Sequence, residues 1–557
     1  MSDTSVADRS SDRRHNLRRD VGLIGLLFAS VGSIIGSGWL FGAMNAATTA
    51  GPAAMLSWAI GMVMILLIAL TYAELGTIFP VSGGVVRFPH VAFGSFASFL
   101  SGWILWIACA TVAPIEVEGA LQYATKYADF TKEHCVSACS SSAPETVHTL
   151  TALGYVAAVI LMAAFVAINY VGVAWFARVN TVIVWWKLAI IVLVVIVFLV
   201  TQFHTSNFTS KDYMPFGWRG VATAIATSGI VFSFLGFRQG IELAGETSNP
   251  RKYVPIAVIG SVVITGIIYI ALQVAFIGAL DPADFSGGWG KLSFENDFGP
   301  LAAISSALGL AWLAGLLYAD AIISPADTGL IYTTVTARVS YATARNGNAP
   351  QALASTNRNG VPMVSLFLAF IVGLIVFLPF PSWQQLVGFI TSATVLSFAP
   401  GAAVVPALRR TKPDLVRPFR CPGGDIIPLL AFIASDLIVI WSTWTVNWKL
   451  FVTVLLGLVL MGVHHLVHRE TPPLDFKSGS WVITWLAGLA ILSYLSGNLD
   501  DAAKVGFWTS AAITTAFSIV IFYIAIGLRL GPRETDEHMQ VISAEAAAED
   551  ETLGIAH

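Results

Sequence analysis

The feature that most constrains this chain is the recurrence of apolar runs of about 18 residues or more along its whole length. Each run is long enough to cross roughly 30 Å of hydrocarbon as an α-helix. Of the 557 residues, 56% are hydrophobic and 11% are charged, against roughly 25% charged in soluble domains. Lipid offers the backbone no hydrogen bonds, so such runs become helices, whereas a β-barrel would show short alternating strands. The sequence therefore predicts an all-α membrane protein.

Hydropathy divides the chain into about fourteen candidate membrane helices between two charged tails. We expect the tails, residues 1–20 and 530–557, to be disordered. The first apolar run lacks a cleavage site of small residues, so we interpret it as a retained helix. The candidate helices cover residues 22–46, 52–78, 93–124, 149–170, 178–202, 219–244, 254–280, 299–340, 362–380, 385–408, 427–446, 450–468, 480–497 and 506–529.

Lysine and arginine are divided unequally between the two sides of these helices. With the N-terminus in the cytoplasm, the tails and loops of that side carry 21 basic residues and the opposite loops carry 7. Cytoplasmic loops of membrane proteins carry such an excess, so we expect both termini in the cytoplasm of a bacterial inner membrane. The loop with Cys135 and Cys139 is then external, where either a disulfide or two free thiols are possible.

Two candidate helices contain stretches that disfavour a continuous helix. The first includes the run from Gly32 to Gly38, with three glycines and two serines, and each glycine costs about 1 kcal/mol relative to alanine. The sixth includes residues 229–239, which mix glycine, serine, aromatic residues and an arginine. Close helix packing through small residues is the alternative explanation.

The spacing of the two interrupted helices favours a transporter. They are five helices apart, so a second set of five would begin on the opposite side of the membrane, as in inverted-repeat secondary transporters. Free N–H groups at the breaks suit an anion, and free carbonyl groups suit a cation. An α-amino acid carries both charges one carbon apart, so the predicted site suits such a zwitterion.

Several motifs resemble those of the amino-acid/polyamine/organocation permeases. The resemblance rests on GSIIGSG (32–38), GP (51–52), YAELG (72–76), ARVN (177–180) with Lys187, and ETSNP (246–250). Within that superfamily, three runs are similar to bacterial aspartate–proton symporters, namely SGGVVRFP (82–89), IEVEGALQY (115–123) and SPADTGLIYT (324–333). The resemblance implies a LeuT-type core of five plus five inverted helices over residues 21–410, with peripheral helices 11 to 14 over residues 411–529.

The resemblance also implies which residues bind the substrate. In the first break, the GSG turn would bind the substrate carboxylate, and nearby carbonyl groups would face the amine. In the sixth helix, Phe232 would be an aromatic gate, and carbonyl groups up to Leu235 would complete the amine site. The full implied set is Ile34, Ile35, Gly36, Ser37, Gly38, Phe232, Ser233 and Leu235.

Lys187 is a charged residue deep within the fifth span. It lies nine residues past Arg178, which is about 13 Å along a helix. A charged lysine at that depth costs at least about 2.5 kcal/mol, so it could release and regain a proton during transport. The resemblance implies a position beside the first break, where this lysine replaces a sodium ion. The alternative is a lysine whose ammonium group reaches the cytoplasmic surface.

Arg238 places a second cation inside the sixth span. Its guanidinium could pair with the side-chain carboxylate of an aspartate or glutamate substrate. The alternative is a salt bridge to Glu242, four residues further along the same helix.

Three acidic residues also fall within predicted spans. Glu116, Asp320 and Asp327 could each carry the coupling proton or line a polar vestibule. Glu246, which closes the sixth span, could contact a cytoplasmic gate or order the loop that follows.

The sequence therefore predicts a secondary active transporter that imports an amino acid, acidic by resemblance, with a proton. The alternatives are an exchanger, such as glutamate against its decarboxylated product, and a non-transporting amino-acid sensor. We expect an amino acid, protons and the lipid bilayer as partners, and no enzymatic activity, cofactor or nucleic acid. We also expect no metal, because His464, His465 and His468 have no fourth ligand nearby.

Overall fold

The computed structural model describes residues 21–81, 83–137, 145–171, 173–209, 212–294, 298–345, 347–357, 361–467, 474–499 and 503–551. The predicted N-terminal tail lies outside these residues. The described chain is mainly helical, in agreement with the all-α prediction. Its α-helices are α1 Leu23–Ile34, α2 Gly38–Ala50, α3 Ala54–Ile78, α4 Gly84–Ala124, α5 Ala152–Val171, α6 Val173–Thr201, α7 Gly217–Thr227, α8 Gln239–Glu242, α9 Pro250–Ala279, α10 Pro300–Ala307, α11 Ala311–Arg345, α12 Met363–Val376, α13 Trp383–Thr411, α14 Ile426–Trp441, α15 Trp444–Val467, α16 Phe476–Gly479, α17 Trp481–Ser496, α18 Phe507–Gly527 and α19 Pro532–Glu551.

Many of these helices have the length and apolar character of membrane spans. Among the described residues, nine helical segments are long and apolar enough to cross a membrane, or ten when one bent pair is taken as a single span. Three further apolar helices, α1, α12 and α14, are shorter. Each of the fourteen predicted spans coincides with at least one helix. The multi-pass membrane architecture is therefore confirmed, whereas fourteen complete crossings stay a prediction.

Both predicted interruptions are present. The first span is divided into α1 and α2, and residues 35–37 between them are not helical. The sixth span is divided into α7 and the 3-10 helix Phe232–Arg238, which continues into α8. The two halves of this span are bent by 46°, and Gly229 between them has a φ of 93°, a value that favours glycine.

The two breaks contact each other directly. A Cβ atom added to Gly236 would lie 2.3 Å from the backbone N of Ile34 and 2.3 Å from the backbone C of Ser33. A Cβ atom added to Gly38 would lie 2.3 Å from the Oγ of Ser233. The glycines therefore serve a packing role as well as interrupting the helices, because only residues without a side chain permit this approach.

Long helices surround the two breaks. α4 packs against α11 and α13, α3 packs against α9, and α9 also contacts α1. α4 is kinked at Gly94, whose φ is 77°. α14 packs against α13, α3 and α18. The buried Asp436 of α14 accepts hydrogen bonds from Trp485 of α17, at 3.0 Å, and Ser518 of α18, at 2.6 Å.

The expectation of a disordered C-terminal tail is wrong for Pro532–Glu551, which form α19. The chain just before α19 is fixed by a hydrogen bond of 2.9 Å from the Leu530 N–H to the Ala92 carbonyl. Asp536 forms an ion pair of 2.5 Å with Lys412, at the end of α13, and Ile542 is buried. Burial of Ile542 and these two contacts stabilise α19 against the rest of the protein, although its charged composition alone suggests disorder.

The structure also adds a feature that hydropathy did not predict. Strands β1 Thr131–Ser137 and β2 Glu145–Leu150 form an antiparallel pair between α4 and α5. Cys135 of β1 is disulfide-bonded, whereas Cys109 and Cys421 are free thiols. Cys139, the other cysteine of the predicted external loop, lies outside the described residues.

The contact between the two breaks generates a stability prediction. Gly236→Ala would force a methyl group against the backbone of α1, and overpacking of this kind typically costs about 1–3 kcal/mol. We expect the midpoint of thermal unfolding of the detergent-purified protein to fall by several degrees. The matched control is Gly260→Ala in α9, where the nearest atom to an added Cβ is 3.7 Å away. That change should be neutral or slightly stabilising, and equal midpoints for the two variants would contradict this packing.

Candidate functional site

A small cavity lies where the two breaks face α4 and α11. The space available to the centre of a water molecule is about 10 Å³, which is room for roughly one water. An amino acid does not fit in this volume, so the structure shows a closed form of the site. The lining residues are Ser33, Ile34, Val112, Glu116, Phe232, Leu235, Arg238, Thr328, Tyr332 and Thr394.

The first break is occupied by a carboxylate from α4. The Ser37 N–H donates a hydrogen bond of 2.6 Å to Oε2 of Glu116. A Cβ atom added to Gly36 would lie 2.5 Å from Oε1 of the same carboxylate, so glycine provides the space in which Glu116 lies. The indole N–H of Trp383 donates to the Ser37 hydroxyl at 2.8 Å. An amide group predicted to bind the substrate carboxylate therefore binds Glu116 here.

The carbonyl groups predicted to face the substrate amine already accept hydrogen bonds. The Tyr269 hydroxyl donates to the Ile34 carbonyl at 3.4 Å, and the Thr328 hydroxyl donates to the Ile35 carbonyl at 3.2 Å. The Ile34 carbonyl also accepts the Gly36 N–H at 3.2 Å. A carbonyl oxygen has two lone pairs, so both are engaged at Ile34, whereas Ile35 keeps capacity for a further donor.

The second break supplies an apolar wall and a packing contact. Phe232 and Leu235 line the cavity, and the ring of Phe232 meets Trp383 edge to face, with centroids 6.1 Å apart. Ser233 donates to the Gly229 carbonyl at 2.7 Å and packs against Gly38. Ser233 and Gly38 therefore join the two breaks and do not line the cavity.

Arg238 lines the cavity with a guanidinium that has few partners. The residue is 1% exposed, and its Nε and Nη1 atoms have no hydrogen-bond partner in the described residues. The guanidinium lies 4.8 Å from the centre of the Tyr332 ring. No direct ion pair joins it to Glu242 within the described chain, and Oε1 of Glu242 has no hydrogen-bond partner there either. The predicted alternative pairing is therefore not formed.

Lys187 forms a buried ion pair beside the first break. Its Nζ lies 2.7 Å from Oδ2 of Asp327, and both side chains are 0% exposed. The same ammonium group donates to the Gly32 carbonyl at 2.9 Å and to the Thr328 hydroxyl at 3.2 Å. The alternative of a lysine that reaches the cytoplasmic surface is wrong, and the predicted location near the end of α1 is confirmed.

Two further predicted acids lie outside the cavity. Asp320 accepts hydrogen bonds from Trp186 at 2.9 Å and Ser324 at 2.8 Å. It is seven residues, or about 10 Å of helix, before Asp327. Glu246 forms an ion pair of 2.9 Å with Arg338 of α11, so it connects the segment after the second break to α11.

Several residues around the cavity were not singled out from the sequence, among them Thr328, Tyr332 and the nearby Trp383. Thr328 and Tyr332 lie in the SPADTGLIYT run, whose resemblance could have identified them. Trp383 had no local signal, because it reaches its partner Ser37 only through the packing of distant helices. Of the three histidines considered as metal ligands, His468 lies outside the described residues.

The charges of this region fall into two groups. Arg238 and Glu116 line the cavity, while Lys187 and Asp327 neutralise each other next to it. Buried ionisable groups inside a membrane protein are costly, and they mark substrate or proton pathways. The arrangement can therefore bind a small molecule that carries both charges, and it can gain or lose protons without any covalent chemistry.

Comparison with known proteins shows the family to which the chain belongs. The family described as amino acid permease matches residues 21–528. The glutamate/serine transporter AimA of Bacillus subtilis (strain 168) is 38% identical over 514 residues, which is 92% of this chain and 94% of that protein. The aspartate-proton symporter of the same organism is 35% identical over 92% of this chain and 97% of its own length. The branched-chain amino acid permease BcaP is 27% identical over 82% of this chain and 95% of its own. The chain belongs to the amino acid permease family and is a multi-pass membrane transporter, not an enzyme.

Proposed function

We propose that this protein imports an acidic amino acid, aspartate or glutamate, together with a proton. The observation that carries the substrate class is the buried guanidinium of Arg238, which lines the cavity with two unpartnered nitrogen atoms. An unpaired buried cation is costly, and a bidentate carboxylate is the partner that a guanidinium matches best. The side-chain carboxylate of the substrate supplies that partner once the cavity opens.

The relatives support the same substrate class. One is named a glutamate/serine transporter and another an aspartate-proton symporter. The match to this chain covers more than nine-tenths of the length of each relative. The first name includes a neutral amino acid, so Arg238 is proposed to set preference for an acidic side chain. The α-amino and α-carboxyl groups would bind the two breaks, through the amides of Gly36, Ser37 and Gly38 and the carbonyl groups of the predicted set.

The proton is proposed to bind among Lys187, Glu116 and Asp320. Lys187 and Asp327 are wholly buried, so a change in the protonation of either would leave an uncompensated charge in the low-dielectric core. Because the Gly32 carbonyl of α1 accepts a hydrogen bond from Lys187, we propose that a change in the protonation of this pair changes the position of α1. Coupling then arises from different proton and substrate affinities in the two facing states.

The arrangement in the membrane is proposed from the sequence asymmetry. We propose a bacterial inner membrane, with both termini in the cytoplasm, from the excess of basic residues on one side. Residues 21–410 would form the transport core and 411–529 the peripheral helices, with tails at 1–20 and 530–557. In the core, one set of helices would rock around the fixed central site.

Two other activities make different predictions. An exchanger needs a second amino acid on the opposite side and moves no net proton, whereas a sensor binds its ligand without accumulating it. Uptake of a panel of labelled amino acids into proteoliposomes, with and without an imposed pH gradient, separates all three. Accumulation driven by the pH gradient alone is the result that the proposal requires.

The role of Lys187 is tested by Lys187→Met, which removes the charge but keeps a long apolar side chain. We expect loss of aspartate accumulation driven by a pH gradient. Because Asp327 would lose its partner, the double variant Lys187→Met/Asp327→Asn keeps the region neutral and should show the same loss while remaining folded. The control is Lys449→Met, whose amine donates to the Pro379 carbonyl away from the cavity. Accumulation that survives in Lys187→Met and still collapses with an uncoupler would remove Lys187 from coupling.

The role of Arg238 is tested by Arg238→Ala and competition between amino acids. Charge-assisted hydrogen bonds contribute about 1.5–3 kcal/mol each, so the preference for aspartate over neutral amino acids should fall about 10- to 100-fold. The measurement is inhibition of labelled uptake by unlabelled aspartate, serine and alanine. Arg338→Ala is the control, since Arg338 pairs with Glu246 outside the cavity and should leave the preference intact. An unchanged preference in Arg238→Ala would show that Arg238 does not bind the substrate side chain.

A further inference from the structure

The carboxylate of Glu116 lies where the substrate carboxylate is expected. Its Oε2 accepts the Ser37 N–H at 2.6 Å, beside the start of α2, where free N–H groups and the helix dipole favour an anion. Its other oxygen, Oε1, is buried without a hydrogen-bond partner in the described residues. Glu116 comes from α4, so a side chain from a different helix fills the anion position of the broken helix.

The space around this position does not admit a second carboxylate. The cavity holds roughly one water, and Glu116 fills the gap left by the missing side chain of Gly36. A single N–H also cannot donate a full hydrogen bond to two carboxylates at once. The substrate and Glu116 are therefore alternative occupants of the Ser37 amide.

We infer that Glu116 is a built-in substitute for the α-carboxylate of the substrate, and that each amino acid must displace it in order to bind. This inference rests on the proposed function, because it requires an amino acid to enter this cavity. On displacement, the hydrogen bond from Ser37 to Glu116 breaks, and one from Ser37 to the substrate carboxylate forms. A proton from the outer solution binds the released Glu116, so that two adjacent carboxylates are not both charged.

The groups around Glu116 come from several elements. Lys187 of α6 and Asp327 of α11 act on it electrostatically, and Glu116 in turn acts on the hydroxyls of Tyr269 in α9 and Tyr332 in α11. Arg238 lines the same cavity. Lys187 is already neutralised by Asp327 at 2.7 Å, and Arg238 is proposed to pair with the substrate side chain. Neither cation is then available to balance a displaced, charged Glu116.

The role differs from that of a residue that merely accepts a proton. Displacement makes proton uptake obligatory for binding itself, because the substrate cannot reach the Ser37 amide while Glu116 holds it. It also gives the empty transporter an internal anion, which keeps the amide paired when no substrate is bound. The displacement depends only on the α-carboxylate, so it applies to acidic and neutral amino acids alike. The obligatory proton applies to acidic substrates, whose side chain occupies Arg238.

The test is the pH dependence of amino-acid binding to the purified full-length protein. In the wild type, uptake of one proton per bound aspartate should weaken the affinity about tenfold for each unit rise in pH above neutrality. In Glu116→Gln, which cannot take up that proton, we expect this slope to disappear and the affinity at alkaline pH to exceed that of the wild type. Titration calorimetry in buffers of different ionisation enthalpy should show one fewer proton taken up by the variant.

A neighbouring residue provides the matched control. Glu118 is a buried acid on the same helix, two residues further on, and neither of its oxygens has a partner in the described residues. Glu118→Gln should keep the wild-type slope. Glu116→Ala, which removes the competing carboxylate entirely, should also bind with little pH dependence, and thermal unfolding reports whether each variant is folded.

Several results would overturn the inference. One is a wild-type slope retained in folded Glu116→Gln, which would leave proton-coupled transport intact but place the proton elsewhere. Another is a complete loss of binding in both folded Glu116 variants, since this would make the carboxyl a direct ligand of the substrate. If the wild type binds no amino acid in the panel, the proposed function and this inference both fail.

Discussion

The ammonium group of Lys187 connects three helices at the point where the first span is interrupted. It donates to the Gly32 carbonyl in α1 and forms an ion pair with Asp327 in α11, while its own backbone belongs to α6. Both charged groups are wholly buried, and removing one partner of such a pair typically costs about 3–5 kcal/mol. We therefore propose that the end of α1 keeps this position only while the charge balance of the pair is maintained, which would couple protonation to the first break.

The balance of buried charges also matters in the cavity where the substrate is proposed to bind. Arg238 presents unpartnered nitrogen atoms, while Glu116 occupies the amide of Ser37. In this closed form one of the two proposed ligand-binding groups, the Ser37 amide, has an internal partner, whereas two nitrogen atoms of the other, Arg238, have none in the described residues. Substrate entry would exchange an internal carboxylate for an external one and supply the missing partner of Arg238. Transport on this account is a change of partners among buried charges.

The helices and the two breaks could be predicted from the sequence because their causes are local. Long apolar runs specify spans, and the glycine and serine run before Gly38 disfavours a continuous helix. The pairing of Arg238 with Glu242 was a reasonable alternative on α-helical spacing. It is not formed although the intervening residues Gln239–Glu242 are α-helical, because the guanidinium of Arg238 lies over the ring of Tyr332 in α11 instead.

The contacts that complete the site could not be predicted, because they join residues far apart in the chain. Lys187 and Asp327, or Ser37 and Trp383, meet only after the helices pack. The same holds for α19, whose charged composition favours disorder until Ile542 is buried in the fold. Glu116 was identified as an acid within a span, but its hydrogen bond to Ser37 depends on how α4 lies relative to the first break.

The central claim, that a proton enters with each amino acid, is tested most directly by the pH inside proteoliposomes. Vesicles containing the wild-type protein and a trapped pH indicator would receive external aspartate, with no initial pH gradient and with the membrane voltage clamped by potassium and valinomycin. The account predicts that the lumen acidifies in parallel with the entry of labelled aspartate. Entry of labelled aspartate with a luminal pH no different from that of protein-free vesicles would contradict it.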